Sequence, residues 1–430
     1  HDDASVGTGG VESIIKCGSY NGVTAKFHVE LGFEPQFVLV KAKEEGNVYQ
    51  GWLMMDCMRG SLDHDNKTTG VLLAHSIVEE THSSTNYNSG YDMVSANPTG
   101  FTVDGSQGNS AVGTANREYL YMAIRRPNKP PEVGTDVFAI DTRGGTSPTP
   151  PTMNAGFPVD LALRRSSDST DNWQIRSRLT GSTGRLYTNN TGHEQEDATS
   201  VMTFDWMNGI GYNTGVDATD YAWMFKRAPG FMDVVAYNGS NSATQNVIHN
   251  LTVAPELMII KKRNATEDWH AYSASLGAGK YLKLNSNSGE ITNTTIWNNT
   301  SPTSSVFTVG NNGGVNNNGD TYIASLFATL PGISKVGSFN GTGNAINVDC
   351  GFTNGARFVL IKRTDTTGNW YLFDTGRGIV SGNDFALALN LTSAQLSGDY
   401  IDPLAAGFTI NGSYAQWNES GGSYIFLAIA

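Results

Sequence analysis

Apolar residues in this chain fall in short solid runs separated by polar, glycine-rich stretches. Four runs are apolar up to a closing cation: Phe37-Val-Leu-Val-Lys41, Leu161-Ala-Leu-Arg164, Leu257-Met-Ile-Ile-Lys261 and Phe358-Val-Leu-Ile-Lys362. Runs this short and this uniform predict central strands covered on both faces. A polar loop follows each run, and then a tryptophan opens the next strand: Trp52, Trp173, Trp269 and Trp370. Further on, Phe101-Thr-Val103, Phe307-Thr-Val309 and Phe408-Thr-Ile410 alternate apolar and polar, as half-buried strands do. Each stretch closes on a tyrosine-led apolar strand, at Tyr119, Tyr221, Tyr322 and Tyr424. These tyrosines recur about every 100 residues, the mark of a tandem array. Helical periodicity is nearly absent, and its best candidate is a single turn at Ser393-Ala-Gln-Leu-Ser397.

Turn chemistry divides the array. Tyr20-Asn21-Gly22, Tyr237-Asn238-Gly239 and Phe339-Asn340-Gly341 each carry the Asn-Gly pair that favours a tight hairpin with positive φ. The second repeat departs, with Asp141-Thr-Arg-Gly144 in that place. Proline marks short, stiff joints at Arg126–Glu132, Ala228-Pro-Gly230 and Leu330-Pro-Gly332. Many short strands with frequent turn signals predict an all-β protein. The expected architecture is a tandem array of four antiparallel β-sandwich units, jelly-roll or concanavalin-like, of about 100 residues each. The expected boundaries are a tail at 1–10 and units at 11–128, 134–229 (divergent), 231–331 and 333–430.

Composition narrows the class. Among 430 residues, 40 Asp and Glu outnumber 28 Lys and Arg, giving a net charge of −12. No basic stripe suited to nucleic acid stands out. Charged residues are 16% of the chain, below the usual quarter, and Asn, Ser, Thr and Gly supply the polarity. That composition suits β-rich surfaces outside cells. No apolar window is long enough for a membrane-spanning helix. The start lacks an initiator Met and a cleavable signal, which predicts a processed, trimmed or partly observed beginning. The strand-like Leu427-Ala-Ile-Ala430 predicts a natural end. Of the three cysteines, Cys17 corresponds to Val336, which predicts a small buried hydrophobe rather than a disulfide partner.

Equivalent positions can be compared across repeats as an internal control. The four tryptophans predict core anchors, with a sugar-stacking platform as the functional alternative. Trp52-Leu-Met-Met-Asp56-Cys-Met-Arg59-Gly60 parallels Trp370-Tyr-Leu-Phe-Asp374-Thr-Gly-Arg377-Gly378. Its Asp and Arg predict a bidentate turn brace, since Ser177 and Ser273 replace the aspartates elsewhere. Asp63-His-Asp65-Asn66 and Asp168-Ser-Thr-Asp171-Asn172 offer oxygen ligands without the calcium-loop glycine and glutamate, and read as solvated turns. His64, His75 and His82 lack metal-ligand spacing. Gly277-Ala-Gly279-Lys280 lacks the rest of a phosphate loop. No catalytic residue, cofactor site or metal site is assigned. Candidate contact residues lie in the polar loops 42–50, 166–172, 262–268 and 363–369: Lys43, Asn47, Asp168, Asp171, Asn264, Asp268, Asp365 and Asn369.

Phrases such as Phe358-Val-Leu-Ile-Lys-Arg363, Asn369-Trp-Tyr-Leu-Phe-Asp-Thr375 and Gly421-Gly-Ser-Tyr-Ile-Phe-Leu-Ala-Ile-Ala430 carry a resemblance. They resemble a repeated β-sandwich domain of structural and tail-fibre proteins of marine tailed bacteriophages. The likeness is strongest over 231–430, looser over 11–127 and weakest over 134–228. It implies a virion protein without catalytic residues, located on the extracellular particle. The expected role is a tail-fibre or appendage subunit that binds the host surface, with glycan as a candidate ligand. Expected partners are other virion proteins and further copies of the chain, as in a trimer; neither nucleic acid nor membrane insertion is expected. Alternatives are a capsid decoration or tail-hub collar protein, and a polysaccharide depolymerase.

Overall fold

The structure, a computed structural model, describes residues 14–44, 51–58, 62, 71–77, 93–106, 111–142, 151–196, 201–212 and 219–430. Its strands pair antiparallel, and helix is limited to short turns. The apolar runs are central strands, as their composition requires. One large sheet recurs with the same spatial order. In its first form the order is Ile15–Asn21, Glu118–Arg125, Pro35–Ala42, Leu53–Asp56 and Leu72–Leu73. The fourth form runs Ser334–Asn340, Ser423–Ile429, Phe358–Arg363, Trp370–Asp374, Asp384–Ala388 and Leu396–Gly398. The second is built on Leu161–Ser166 beside Asp220–Phe225, and the third on Leu257–Lys262 beside Thr321–Phe327.

A smaller sheet covers the inner face of each large one. Lys26–Glu30, Gly100–Asp104 and Val94–Asn97 form the first such cover; Ile346–Asp349, Gly407–Ile410 and Ile401–Leu404 form the fourth. Each sandwich has its own core. Val38, Val40, Phe101 and Tyr119 meet in the first, and Val359, Ile361, Phe408 and Tyr424 in the fourth. The chain divides into two compact units. One is His1–Asn128 with Arg178–Ser182, and the other is Lys129–Ser177 with Thr183–Ala430. The first sandwich therefore falls in one unit and the other three in the second, except for Arg178–Ser182.

The strand register refines the sequence alignment. Tyr119, Tyr322 and Tyr424 are equivalent: each is buried and stacks on Tyr20, Tyr237 or Phe339 with ring centroids 5.2, 5.1 and 5.1 Å apart. Each hydroxyl accepts a backbone N–H five residues upstream, from Thr114, Asn317 or Glu419. Tyr221 does not belong to this set. Leu161 faces Phe225 as Phe358 faces Ile429, so Asp220 takes the tyrosine position and Tyr221 points to the other face. Asp220 instead receives Arg164 at 2.6 and 2.7 Å, an ion pair filling the space of a tyrosine stack.

The Asn-Gly signals also act differently from expectation. The strands preceding Gly22, Gly239 and Gly341 pass from the large sheet to the small one, so these are corners and not hairpins. Their glycines do not have positive φ. A Cβ there would lie 2.2, 2.1 and 2.2 Å from the carbonyl oxygens of Thr114, Asn317 and Glu419. Close backbone approach, not left-handed geometry, excludes a side chain. The Pro-Gly joints do behave as tight turns. Gly230 and Gly332 have φ of 74° and 75°, and Ala228 and Leu330 bridge to Met232 and Ser334. Residues Ser393–Ser397 form no helical turn; Leu396–Gly398 is a strand. A single α-helical turn among the described residues, Gly313–Asn316, is capped by the Asn312 side chain.

Candidate functional site

The outer faces of the second, third and fourth large sheets converge within their unit, and the meeting is cyclic. Trp173, Trp269 and Trp370 are buried, but they face outward from their own sandwiches. Each donates its ring N–H to the next sandwich: Trp173 to Ala388 O at 2.8 Å, Trp269 to Tyr187 O at 2.9 Å and Trp370 to Lys283 O at 2.9 Å. The second sandwich thus grips the fourth, the fourth the third, and the third the second. The tryptophans anchor junctions between sandwiches rather than the core within one. Their indoles are enclosed, which leaves these three no open face on which a sugar could stack.

An asparagine clamp sets each indole. Asn189, Asn285 and Asn390 accept the backbone N–H of Trp173, Trp269 and Trp370 at 2.8, 2.8 and 3.0 Å. Their amides donate to the residue before each tryptophan: Asn172, Asp268 and Asn369. Two of the candidate contact residues, Asp268 and Asn369, are therefore clamp members. Burial pushes the Asp268 carboxyl up, but bonds from Asn285 and Lys283 outweigh it and hold the group below its ordinary value.

A buried cation completes each junction. Arg165, Lys261 and Lys362 end the outward rows of the central strands and enter backbone carbonyls of the next sandwich. Arg165 donates to Leu391 O, Thr392 O and Ser393 O at 2.7, 2.5 and 2.7 Å. Lys261 reaches Thr191 O at 3.3 Å, and Lys362 reaches Ser288 O at 2.8 Å. Each also binds its own following loop, at Ser169 O, Glu267 O or Gly368 O. Burial pulls their pKa values down, to about 10 for Arg165, about 8 for Lys261 and about 7 for Lys362. Strand-like backbone bonds run beside the cations: Glu194 N to Arg263 O, Glu290 N to Thr364 O and Gln395 N to Ser167 O, at 2.7, 2.7 and 2.9 Å.

At the centre, Phe225, Phe327 and Phe358 meet, one from each sandwich, with centroid separations of 6.0 Å from Phe225 to either partner. Leucines surround them and enclose a void of about 40 Å³ lined almost wholly by carbon, including Leu163, Ile259 and Leu360. A space of that lining stays dry. Local chemistry then varies with the facing residue. Trp223 of the second sandwich brings a ring N–H to Asp374 of the fourth at 3.0 Å, and Asp374 also holds Arg377 at 2.6 Å. The brace expected between Asp374 and Arg377 is present, and it doubles as an inter-sandwich contact. Ser177 and Ser273 are register equivalents of Asp374. Arg59 lies outside the described residues.

The remaining described candidate residues bond within their own sandwiches. Lys43 is exposed and pairs with Glu118 at 2.6 Å. Asp168 accepts hydroxyls of Ser166 and Thr219, and Asp171 accepts that of Ser169. Asn264 accepts the Thr321 N–H, and Asp365 is held low in pKa by Arg363. Asn47, His64, His82 and the Asp63–Asn66 turn lie outside the described residues. Cys17 is exposed, against expectation, whereas Val336 is buried. The valine faces the fourth sheet's junction, beside Leu257 and Trp370. Among the described residues no group of three His, Cys, Asp or Glu side chains is placed to hold a metal, and no helix is long and apolar enough to cross a membrane.

Residues 225–430 match the family described as "Domain of unknown function (DUF7483)", just under half of the chain. That span holds the third and fourth sandwiches and the end of the second. No curated protein and no solved structure matches.

Proposed function

We propose that this chain is a non-catalytic structural subunit of a bacteriophage particle, a tail-fibre or appendage component that meets the host surface. The observation that carries the reading is the closed set of three junctions. It joins three like sandwiches in one compact unit and so sets the spacing of their polar loops. Weak contacts repeated at fixed spacing gain strength through effective concentration, without any single strong site. Asp168, Asp171, Asn264 and Asp365 supply exposed polar groups for such contacts, and Lys43 supplies one on the first sandwich. The motif resemblance and the acidic, Asn/Ser/Thr/Gly-rich composition point the same way.

The test is location and blockade. Gold-labelled antibody against the purified chain should mark the tail tips of particles that carry it, and its monovalent fragments should block adsorption. Label on the head or collar would replace this reading with a decoration or hub role. Release of reducing ends from capsule or lipopolysaccharide by the purified chain would replace it with a depolymerase.

A further inference from the structure

Each sandwich has a lateral side where the edge strand of its large sheet faces the edge strand of its small one. In the first three a side chain ties the two edges together. Lys16 of the first donates to Glu30 O and Leu31 O at 3.3 and 3.1 Å. Asp141 of the second accepts the Asn154 N–H at 2.7 Å, and Asp233 of the third accepts the Asn250 N–H at 2.7 Å. Strand register puts Lys335 of the fourth at the place of Lys16 and Asp233, and Gly337 at the place of Asp141. Among the described residues neither makes such a tie. A groove of about 390 Å³ lies between the two edges instead.

The groove has an apolar floor and a polar rim. Phe426 lies across Gly337, where a Cβ would come within 2.8 Å of its ring, and Phe339, Ile346 and Val348 complete the floor. The third sandwich fills the place of Gly337 with Val235. Lys335 stands on the rim, in no ion pair among the described residues, while Asp349 is turned to its own Gly351 N–H at 2.8 Å. The rim also carries a row of backbone groups. Leu330 bridges to Ser334, and the Thr329 hydroxyl bonds the N–H and C=O of Val336 at 3.2 and 3.3 Å. Ser338 and Asn340 turn their N–H and C=O to that same side; both are exposed, and these backbone groups bond nothing among the described residues. In the third sandwich Gln245 covers Asn238 O, the equivalent of Asn340 O, at 2.8 Å. Proteins commonly blunt such edges, and this one is left bare.

We propose that this groove takes an extended segment of another protein, added as a strand beside Ser334–Asn340. The backbone of that segment pairs with the outward N–H and C=O groups of Ser338 and Asn340. Its side chains enter the groove at every second residue. An apolar one covers Gly337 and Phe426, and an acidic one, at the end nearest Thr329, reaches Lys335. Bare donors and acceptors at strand spacing are met by a peptide backbone, which offers both, and the groove beside them reads the alternate side chains. The charge of Lys335 selects an acid. The inference concerns one groove within the fourth sandwich and stands whether or not the chain meets a host surface.

Short capped random peptides, displayed and panned on the full chain after binders of Lys335→Glu are removed, should enrich segments that alternate apolar residues and carry an acid at one end. Titration calorimetry then tests the mode of binding. Ser338→Pro deletes an edge N–H that the chain itself leaves unused, and should weaken an enriched peptide about tenfold or more. Ala236→Pro, at the equivalent edge position of the third sandwich, should leave binding unchanged. Both variants should keep the parent melting temperature. In the unaltered chain, hydrogen exchange at the Ser338 and Asn340 amides should slow when the peptide is bound. Failure to enrich any peptide overturns the proposal. So does an enriched peptide that Ser338→Pro does not weaken, or one that leaves both amides exchanging freely. Self-association of the chain that Ser338→Pro abolishes, with no peptide enriched, makes the occupant a second copy and also overturns it. An oligosaccharide bound in a manner sensitive to Lys335→Glu but not to Ser338→Pro makes the occupant a sugar, with the same consequence.

Discussion

Leu39 and Leu360 occupy one place in one kind of strand, yet water reaches the first and not the second. The inner faces of their sandwiches are alike: both hold a β-branched and aromatic core with a stacked tyrosine. The difference lies wholly in what stands on the outer face. In the fourth sandwich an indole, a lysine and a leucine row are matched by carbonyls and leucines of sequence neighbours. In the first sandwich the same three features meet no such counterpart among the described residues of its own unit. A single sheet design can therefore be an interior wall or an exterior one, and its sequence is written for the interior.

That contrast makes unequal demands on equivalent residues. Trp370→Ala should cost about 3–5 kcal/mol in thermal or urea unfolding, through lost burial and a carbonyl left without its donor. Trp52→Ala should cost about 1 kcal/mol or less. Equal losses would show that the two tryptophans are not differently placed. Asp374→Ala leaves Arg377 buried without its partner and should cost about 3–5 kcal/mol, whereas Ser273→Ala, at the equivalent position, should cost below about 1 kcal/mol. Lys362→Ala removes the donor from Ser288 O and Gly368 O and should cost about 1–3 kcal/mol by urea titration, with Lys41→Ala near zero.

The smallest effect is in pH. Lys362 and Lys261 have folded pKa values of about 7 and about 8, against an ordinary 10.5. Between these limits the unfolded chain binds more protons than the folded one, so stability rises with pH. Below about pH 7 both states hold the proton and this contribution is constant. The melting temperature should climb from pH 7 toward pH 10, and the double change Lys261→Met, Lys362→Met should flatten the climb. A profile that falls over this window in the native chain, unchanged by the double substitution, would remove the buried lysines as its cause.

Much of this was legible in the chain. The solid runs at Phe37, Leu161, Leu257 and Phe358 marked strands apolar on both sides, and the Trp-led strands pair with them in the expected register, down to Ser177 and Ser273 opposite Leu161 and Leu257. The cyclic junctions were not legible, because periodicity reports that a face is buried and not what buries it. The lysines closing three of the four runs were the available signal. A lysine ending an apolar strand in repeat after repeat has to meet acceptors somewhere, and Lys261 and Lys362 do so across a junction. The asparagine clamps were hidden by variable spacing, 16 residues from Trp173 to Asn189 but 20 from Trp370 to Asn390. Tyr221 misled because the residue type matched while the register had shifted by one, a slip that turns a side chain to the opposite face. Cys17 misled because its valine counterpart is buried by another sandwich and not by its own.

One detail of the three-membered unit bears on how its polypeptide could be rewired. A Cβ on Gly134 would lie 2.1 Å from the carbonyl oxygen of Ala430, so the entry to the second sandwich abuts the exit from the fourth. In a piece cut before Gly134, joining Gly134 to Ala430 and opening the backbone at the Leu330-Pro-Gly332 turn would reorder the segments while leaving the indole and cation bonds between sandwiches unsevered. Such a permuted polypeptide would give a topological handle for attaching cargo at a point that is now an internal bend.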